Sequence, residues 1–236
     1  MQTIGLLGGM SWESTVTYYT LINRGVRERL GGLHSAELVL YSVEFAEIER
    51  LQDSGEWEKA GRLLAAAAQK VEGAGAKALL ICTNTMHKVA PRVEAAITIP
   101  LLHIADATGR VITEKRMKKV GLLGTRFTME DDFYKGRLTE RFGIEVVIPN
   151  REERELVHRV IYDELCCGII KDASRNAYAE IVARLGQQGA ETVILGCTEI
   201  SLLIQEKHAD LPLLDTTAIH AGEAVRFALS ATELTP

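Results

Sequence analysis

The feature that most constrains this 236-residue chain is that its second half repeats its first. Ile4-Gly5-Leu6-Leu7-Gly8 returns as Val120-Gly121-Leu122-Leu123-Gly124, 116 residues on. The segment from Gly75 to Thr83 returns from Gly189 to Cys197, 114 residues on, and Ile99-Pro100-Leu101-Leu102 returns as Leu211-Pro212-Leu213-Leu214, 112 residues on. Three segments repeating in one order with slowly drifting spacing describe two similar lobes of about half the chain each.

Within each copy, short runs rich in Val, Ile and Leu alternate with longer stretches of helical period. That alternation marks a parallel sheet with crossover helices. Strands are expected at 3–7, 37–43, 78–82, 101–104, 120–123, 145–148, 192–195 and 213–214. Helices are expected at 12–30, 56–73, 86–96, 107–118, 129–142, 151–167, 173–189 and 217–229. The fold class is therefore α/β, with two pseudo-twofold-related lobes, 1–106 with 217–236 and 107–216, each a mainly parallel sheet flanked by helices. Ligands of such sheets sit beyond the carboxyl ends of the strands. An active site is expected in the cleft between the lobes, from the loops at 8–11, 43–52, 83–87, 124–128 and 197–201.

Several function classes fall away on charge and motif. With 27 basic and 32 acidic side chains the net charge is −5, which argues against a nucleic-acid partner. The start Met1-Gln2-Thr3-Ile4-Gly5 places no basic residues before an apolar stretch, and no apolar run approaches the ~18 residues that span a bilayer. The expectation is a cytoplasmic protein with no membrane partner. Cys82, Cys166, Cys167 and Cys197 form no CxxC pair and are expected as thiols. His34, His87, His103, His158, His208 and His220 lack HExxH or close ligand spacing, so no metal is expected. Gly5 to Gly9 is neither GxGxxG nor a P-loop, so no nucleotide cofactor is expected, although a small anion would suit the helix start that follows.

The paired strand ends carry more information. Thr83-Asn84-Thr85 and Cys197-Thr198-Glu199 fall at matching places in the repeat, and their hydroxyls, amide and backbone N–H groups suit a carboxylate. One such motif alone reads as a helix N-cap. Two at equivalent positions favour a binding site. Cys166-Cys167, inside the 151–167 helix, reads as packing, with one thiol able to face the cleft, and Arg151 to Glu155 reads as a solvated first turn.

Gly5-Leu-Leu-Gly8-Gly9-Met10, Cys82-Thr83-Asn84-Thr85-Met86-His87 and Gly196-Cys197-Thr198-Glu199 resemble the motifs of the aspartate/glutamate racemase family, the amino-acid racemases that work without pyridoxal phosphate. The similarity covers nearly the whole chain and is closest to the branch specific for L-aspartate/glutamate or of broad specificity. The resemblance implies an enzyme, an isomerase with no cofactor, an amino-acid substrate and a homodimer. It implies two bases, one thiolate removing the α-proton and a second acid returning a proton to the opposite face. Asn84, Thr85 and Thr198 match the positions that hold the substrate carboxylate, with Met10 from the first loop and Thr125 from its repeat. Relatives on the same scaffold include other isomerases and decarboxylases, and a two-lobed carboxylate site also describes a non-catalytic small-acid binder.

Two departures from the family pattern stand out. The usual Cys-Asn-Thr reads Thr83-Asn84-Thr85 here, while Cys197 keeps the second cysteine. Threonine is a far weaker acid than a thiol, so Thr83 is no thiolate equivalent. Pairing by Gly75 and Gly189 matches Thr83 to Cys197, whereas pairing Cys-Thr with Cys-Thr matches Cys82. Strand alternation lets only one of the two face the substrate, and the flanking Asn84-Thr85-x-His87 favours Thr83. The open consequences are lopsided catalysis with Cys197 as principal base, a Thr83 or water relay, or another activity. The second departure is that family members specific for dicarboxylic acids place basic side chains near the distal carboxylate, yet the segment from Val43 to Gln52 is acidic. Glu47 or Gln52 is expected at the substrate's side-chain end, favouring polar neutral or broad substrates.

Overall fold

In a computed structural model that describes residues 1–230, the chain forms two compact units. One comprises Met1–Ile104 together with the chain from His220 onward, the other Ala105–Ile219. Both divisions, after Ile104 and after Ile219, fall within helices. The 231–236 part of the expected first lobe lies outside the described residues.

The first unit is built from β1 (Ile4–Gly8), α1 (Trp12–Leu30), β2 (Leu38–Ser42), α2 (Phe45–Asp53), α3 (Trp57–Gly73), β3 (Ala78–Ile81) and the short α4 (Ala90–Glu94). Its three strands are all parallel in the order β2-β1-β3. Strand side chains alternate between faces, and the two faces have separate cores. Leu7, Leu79 and Ile81 pack with Leu64, Ala68 and Val71 of α3 and with Ile48 and Leu51 of α2. Ile4, Leu6, Ala78 and Leu80 pack with Tyr18, Ile22 and Val26 of α1 and with Ala221, Ala224 and Val225.

The second unit continues with α5 (Ile104–Glu114), β4 (Lys119–Gly124), α6 (Arg126–Glu130), α7 (Asp132–Phe142), β5 (Glu145–Val147), α8 (Arg151–Asp163), α9 (Asp172–Gln187), β6 (Val193–Gly196), α10 (Ile200–Leu203) and β7 (Leu213–Asp215), and α11 (Thr216–Leu229) belongs to the first unit from His220 onward. Its strands are parallel in the order β5-β4-β6-β7. Leu123, Val193 and Leu195 meet Val157, Ile161, Tyr178 and Ile181 of α8 and α9. Asn150 and Glu153 close a reciprocal capping box at the start of α8, which fixes the polar first turn in solvent.

The structure corrects five local expectations. The 43–52 loop is mostly helix, α2, because Glu44 caps it by accepting from Ala46 and Glu47 N–H and Ile48 and Leu51 bury on one side. The 101–104 strand shrinks to a bridge of Leu101 with Leu79, and Ile104 already begins α5. The 86–96 helix divides into a 3-10 turn at Thr85–Val89 and α4, with Pro91 at the start of the latter. The 129–142 helix breaks at Asp131 into α6 and α7, Asp131 adopting an extended backbone. The 151–167 helix stops at Asp163 and is followed by a 3-10 turn, Leu165–Cys167, which exposes Cys167; that thiol is no packing residue.

The repeated glycines have a packing reason. A Cβ on Gly5 would lie 2.4 Å from Val71 Cγ1 on α3, and one on Gly121 would lie 2.9 Å from Leu185 Cδ1 on α9. Each glycine lets its covering helix approach the central strand. Gly5→Ala is expected to destabilise the protein by about 1–3 kcal/mol through overpacking, read by urea denaturation, with Val71→Ala in the same chain recovering part of the loss. Additive losses in the double variant would contradict this contact.

Candidate active site

The sheets fix which side chains emerge at the strand ends. On β1, Gly5 pairs with Leu79 and Leu7 with Ile81; on β4, Gly121 pairs with Val193 and Leu123 with Leu195. Two residues beyond Ile81 is Thr83, and two beyond Leu195 is Cys197. Thr83 and Cys197 are thus register equivalents. Cys82 has the opposite parity and joins the Leu80 face, where it is fully buried among Ile4, Leu6 and Leu80. Burial pushes its thiol pKa far up, so Cys82 is an inert core thiol.

Thr83 is partly exposed, and among the described residues no hydrogen bond to its hydroxyl is recorded. Its backbone carbonyl is held instead by His87 Nδ1 at 2.8 Å. Asn84 and Thr85 follow, both buried, in a tight turn closed by His87 N–H to the Asn84 carbonyl at 3.0 Å. Asn84 stands at the cap position of the 3-10 turn without making a side-chain cap bond, so the amide is not spent on capping.

Cys197 is half-buried, and its Sγ donates to Glu199 Oε2 at 2.9 Å. Burial pushes the thiol pKa well up, and the Glu199 carboxylate and nearby Cys166 push it the same way. The resting form is therefore a thiol hydrogen-bonded to a carboxylate. Glu199 also occupies a cap position without a side-chain cap bond. Thr198 is buried, and its carbonyl accepts from Ser201 Oγ at 2.9 Å. A thiol–carboxylate pair can act as base or acid once the carboxylate has taken or returned the proton.

The other expected residues are placed as follows. Thr125 is buried as the N-cap of α6, its Oγ1 accepting from Thr128 N–H at 3.3 Å. The Met10 side chain is packed in the core of the first unit against the α2–α3 face, which leaves the backbone of that loop as its contribution. Gln52 ends α2, buried, and its Nε2 donates to Met86 Sδ at 3.0 Å, tying α2 to the turn after Thr83. Glu47, in the exposed first turn of α2, lies on a different side of the helix from Gln52. Of the two, Gln52 is the one coupled to the Thr83 turn. On α8, Ile161 is buried while Tyr162 packs edge-on against His158 with ring centroids 4.9 Å apart. Glu164, just beyond α8, is held by Ser174 and Lys171.

Among the described residues no three His, Cys, Asp or Glu side chains are grouped to hold a metal ion, and no helix is long and apolar enough to cross a membrane. None of the four cysteines forms a disulfide. In the sequence, Glu199 stood within a motif with no part given to it, and His87 served only to set the register of Thr83. The signal for Glu199 was its spacing of two from Cys197 across a strand-to-helix turn; for His87 it was a polar ring four residues beyond Thr83.

The comparisons agree on one family. The Asp/Glu/Hydantoin racemase profile matches residues 7–224. A candidate Asp/Glu racemase of solved structure from Yersinia pestis is 55% identical, with a TM-score of 0.92, covering 97% of this chain and 100% of its own. An aspartate racemase homologue from Pyrococcus horikoshii is 36% identical with a TM-score of 0.84, covering 97% and 99%. The broad specificity amino-acid racemase RacX of Bacillus subtilis is 23% identical over 233 residues, 94% of this chain and 96% of that one. The chain belongs to the Asp/Glu/Hydantoin racemase family.

Proposed function

We propose that this protein interconverts L- and D-amino acids without a cofactor, with Cys197 as the principal acid/base and the Thr83 strand end serving the opposite face of the same α-carbon. That it is an isomerase of the amino-acid racemase kind follows from its family and from relatives named as racemases. The assignment of residues rests on one observation, the hydrogen bond from Cys197 Sγ to the Glu199 carboxylate at the strand end equivalent to Thr83.

The chemistry runs in balanced steps. Glu199 takes the thiol proton, the thiolate takes the α-proton, and the electron pair left on Cα spreads into the substrate carboxylate. Asn84, Thr85 and Thr198 supply hydrogen-bond donors for that carboxylate, with Thr125 and the Met10 backbone beside them. A proton from the Thr83 hydroxyl, or from a water it holds, reaches the other face and is replaced from solvent, to which Glu199 gives up the proton it took. Threonine at this place makes the pair lopsided, because only Cys197 has a carboxylate to trade protons with. Gln52 meets the substrate's side-chain end and Glu47 adds negative charge to the same segment, so polar neutral or a broad range of amino acids suit the protein better than strict aspartate. The protein is further proposed to work in the cytoplasm, which its free thiols support, and as a homodimer, which family resemblance alone supports.

Cys197→Ala is expected to abolish solvent-deuterium incorporation at Cα, whereas Thr83→Cys leaves it intact or faster; normal exchange in the Cys197 variant would remove this mechanism. The pH dependence follows from the raised Cys197 pKa. The thiol is protonated at neutral pH, so the thiolate fraction and the exchange rate climb as pH rises. Glu199→Gln removes a repelling charge, so alkylation of Cys197 by iodoacetamide, followed peptide by peptide in mass spectrometry, should reach its half-maximal rate at lower pH than in the wild type. An unmoved midpoint would uncouple the two side chains. Steady-state kinetics on a panel of L-amino acids should show neutral polar substrates used at rates comparable to aspartate; aspartate preferred by orders of magnitude would refute the role given to Gln52 and Glu47.

A further inference from the structure

Behind the Thr83 turn, the first unit buries three histidines and a tyrosine. His87, His103 and His220 are 1%, 4% and 0% exposed, with ring centroids 4.5 Å apart for His87 and His103 and 5.8 Å for His87 and His220. Carbonyl oxygens only accept, so their partners must donate. His87 Nδ1–H therefore donates to the Thr83 carbonyl at 2.8 Å, and its Nε2 accepts from Ile104 N–H at 3.3 Å. His220 Nε2–H likewise donates to the Leu102 carbonyl at 2.5 Å, and its Nδ1 is hydrogen-bonded with the Tyr18 hydroxyl at 2.9 Å. Two backbone partners, one acceptor and one donor, hold the His87 ring in one tautomer.

Three buried imidazoles are costly where aliphatic side chains would fill the same space. The His87 bond accounts for that cost at this place in the fold. β3 ends at Ile81, and the last strand-type bond beyond it is Cys82 N–H to the Leu7 carbonyl. After that the Thr83 peptide has no partner strand to fix it. A carbonyl held by a buried ring fixes the Thr83 backbone torsion, and with it the direction of Cα–Cβ and the hydroxyl. His87 is not itself an acid or base toward substrate, because both nitrogens are committed to backbone groups.

We propose that His87 is the positioning residue of the Thr83 face: it aims the Thr83 hydroxyl through its hydrogen bond to the Thr83 carbonyl, while His103 and the Tyr18–His220 pair hold the ring in place. This inference rests on the racemase reading above. It makes one face of the reaction depend on His87 and leaves the Cys197 face independent of it.

The test uses the intact protein and compares two readouts, inversion by chiral analysis and deuterium incorporation into recovered substrate with retained configuration. In His87→Gln, whose donor is displaced by one methylene, inversion should fall by about 10²-fold, with KM within about threefold of wild type. Deuterium incorporation with retention, driven by Cys197, should persist. His87→Asn, whose Nδ2 falls near the place of the lost Nδ1, should recover part of the inversion rate. The loss in Thr83→Ala/His87→Gln should be no greater than in Thr83→Ala alone, since the two act on one face. Wild-type inversion in a folded His87→Gln would overturn the proposal, as would losses that multiply in the double variant. Normal exchange in Cys197→Ala would instead defeat the underlying racemase reading.

Discussion

Everything at the candidate site depends on the period of two along a parallel strand. Because Ile81 and Leu195 each face the helices on one side of their sheets, the residues two positions on must emerge on that side as the strands end. The pairing of β3 on β1 and of β6 on β4 sets this parity identically in both units. One step of slippage would have put Cys82 at the strand end and buried Thr83, inverting the chemistry of that half. Gly5 and Gly121 protect the register by letting α3 and α9 sit directly on the central strands.

The same frame then carries unlike chemistry. In the second unit a half-buried thiol donates a hydrogen bond to a neighbouring carboxylate. In the first, a hydroxyl stands where that thiol would be, and its backbone, not its side chain, is what the fold holds. A racemase must treat mirror-image substrates evenly, since its equilibrium constant is one, yet nothing requires its two bases to be equally strong. Burial raises the Cys197 pKa, which keeps it protonated at rest and makes its thiolate a stronger base once formed. The cost falls on the fraction ionised at neutral pH, and the neighbouring Glu199 carboxylate adds to that cost while standing 2.9 Å away as the hydrogen-bond acceptor of the thiol.

Much of the fold was legible because the signals were long and periodic. α1 begins and ends where its apolar spacing says, and the strands lie within a residue or two of the hydrophobic runs that mark them. Short elements were not legible. α2 hides in an acidic stretch whose helical order comes from the Glu44 cap and from two buried aliphatic residues, and the turn at Thr85–Val89 is set by His87 rather than by any period. At the site, the repeat and the motifs pointed to Thr83, Asn84, Thr85, Cys197 and Thr198. Glu199 and His87 escaped because their parts depend on which atoms they touch, and sequence spacing does not disclose that.

The central claim is that Cys197, with Glu199, is the one strong acid/base of a lopsided pair. The most direct measurement is incorporation of solvent deuterium at Cα of unreacted substrate, followed separately from each enantiomer of one amino acid before equilibrium. A proton taken by Cys197 can exchange through Glu199 and return, so the enantiomer whose α-hydrogen meets Cys197 should gain deuterium without inverting, while the other should not. Equal incorporation into both recovered enantiomers would contradict the account.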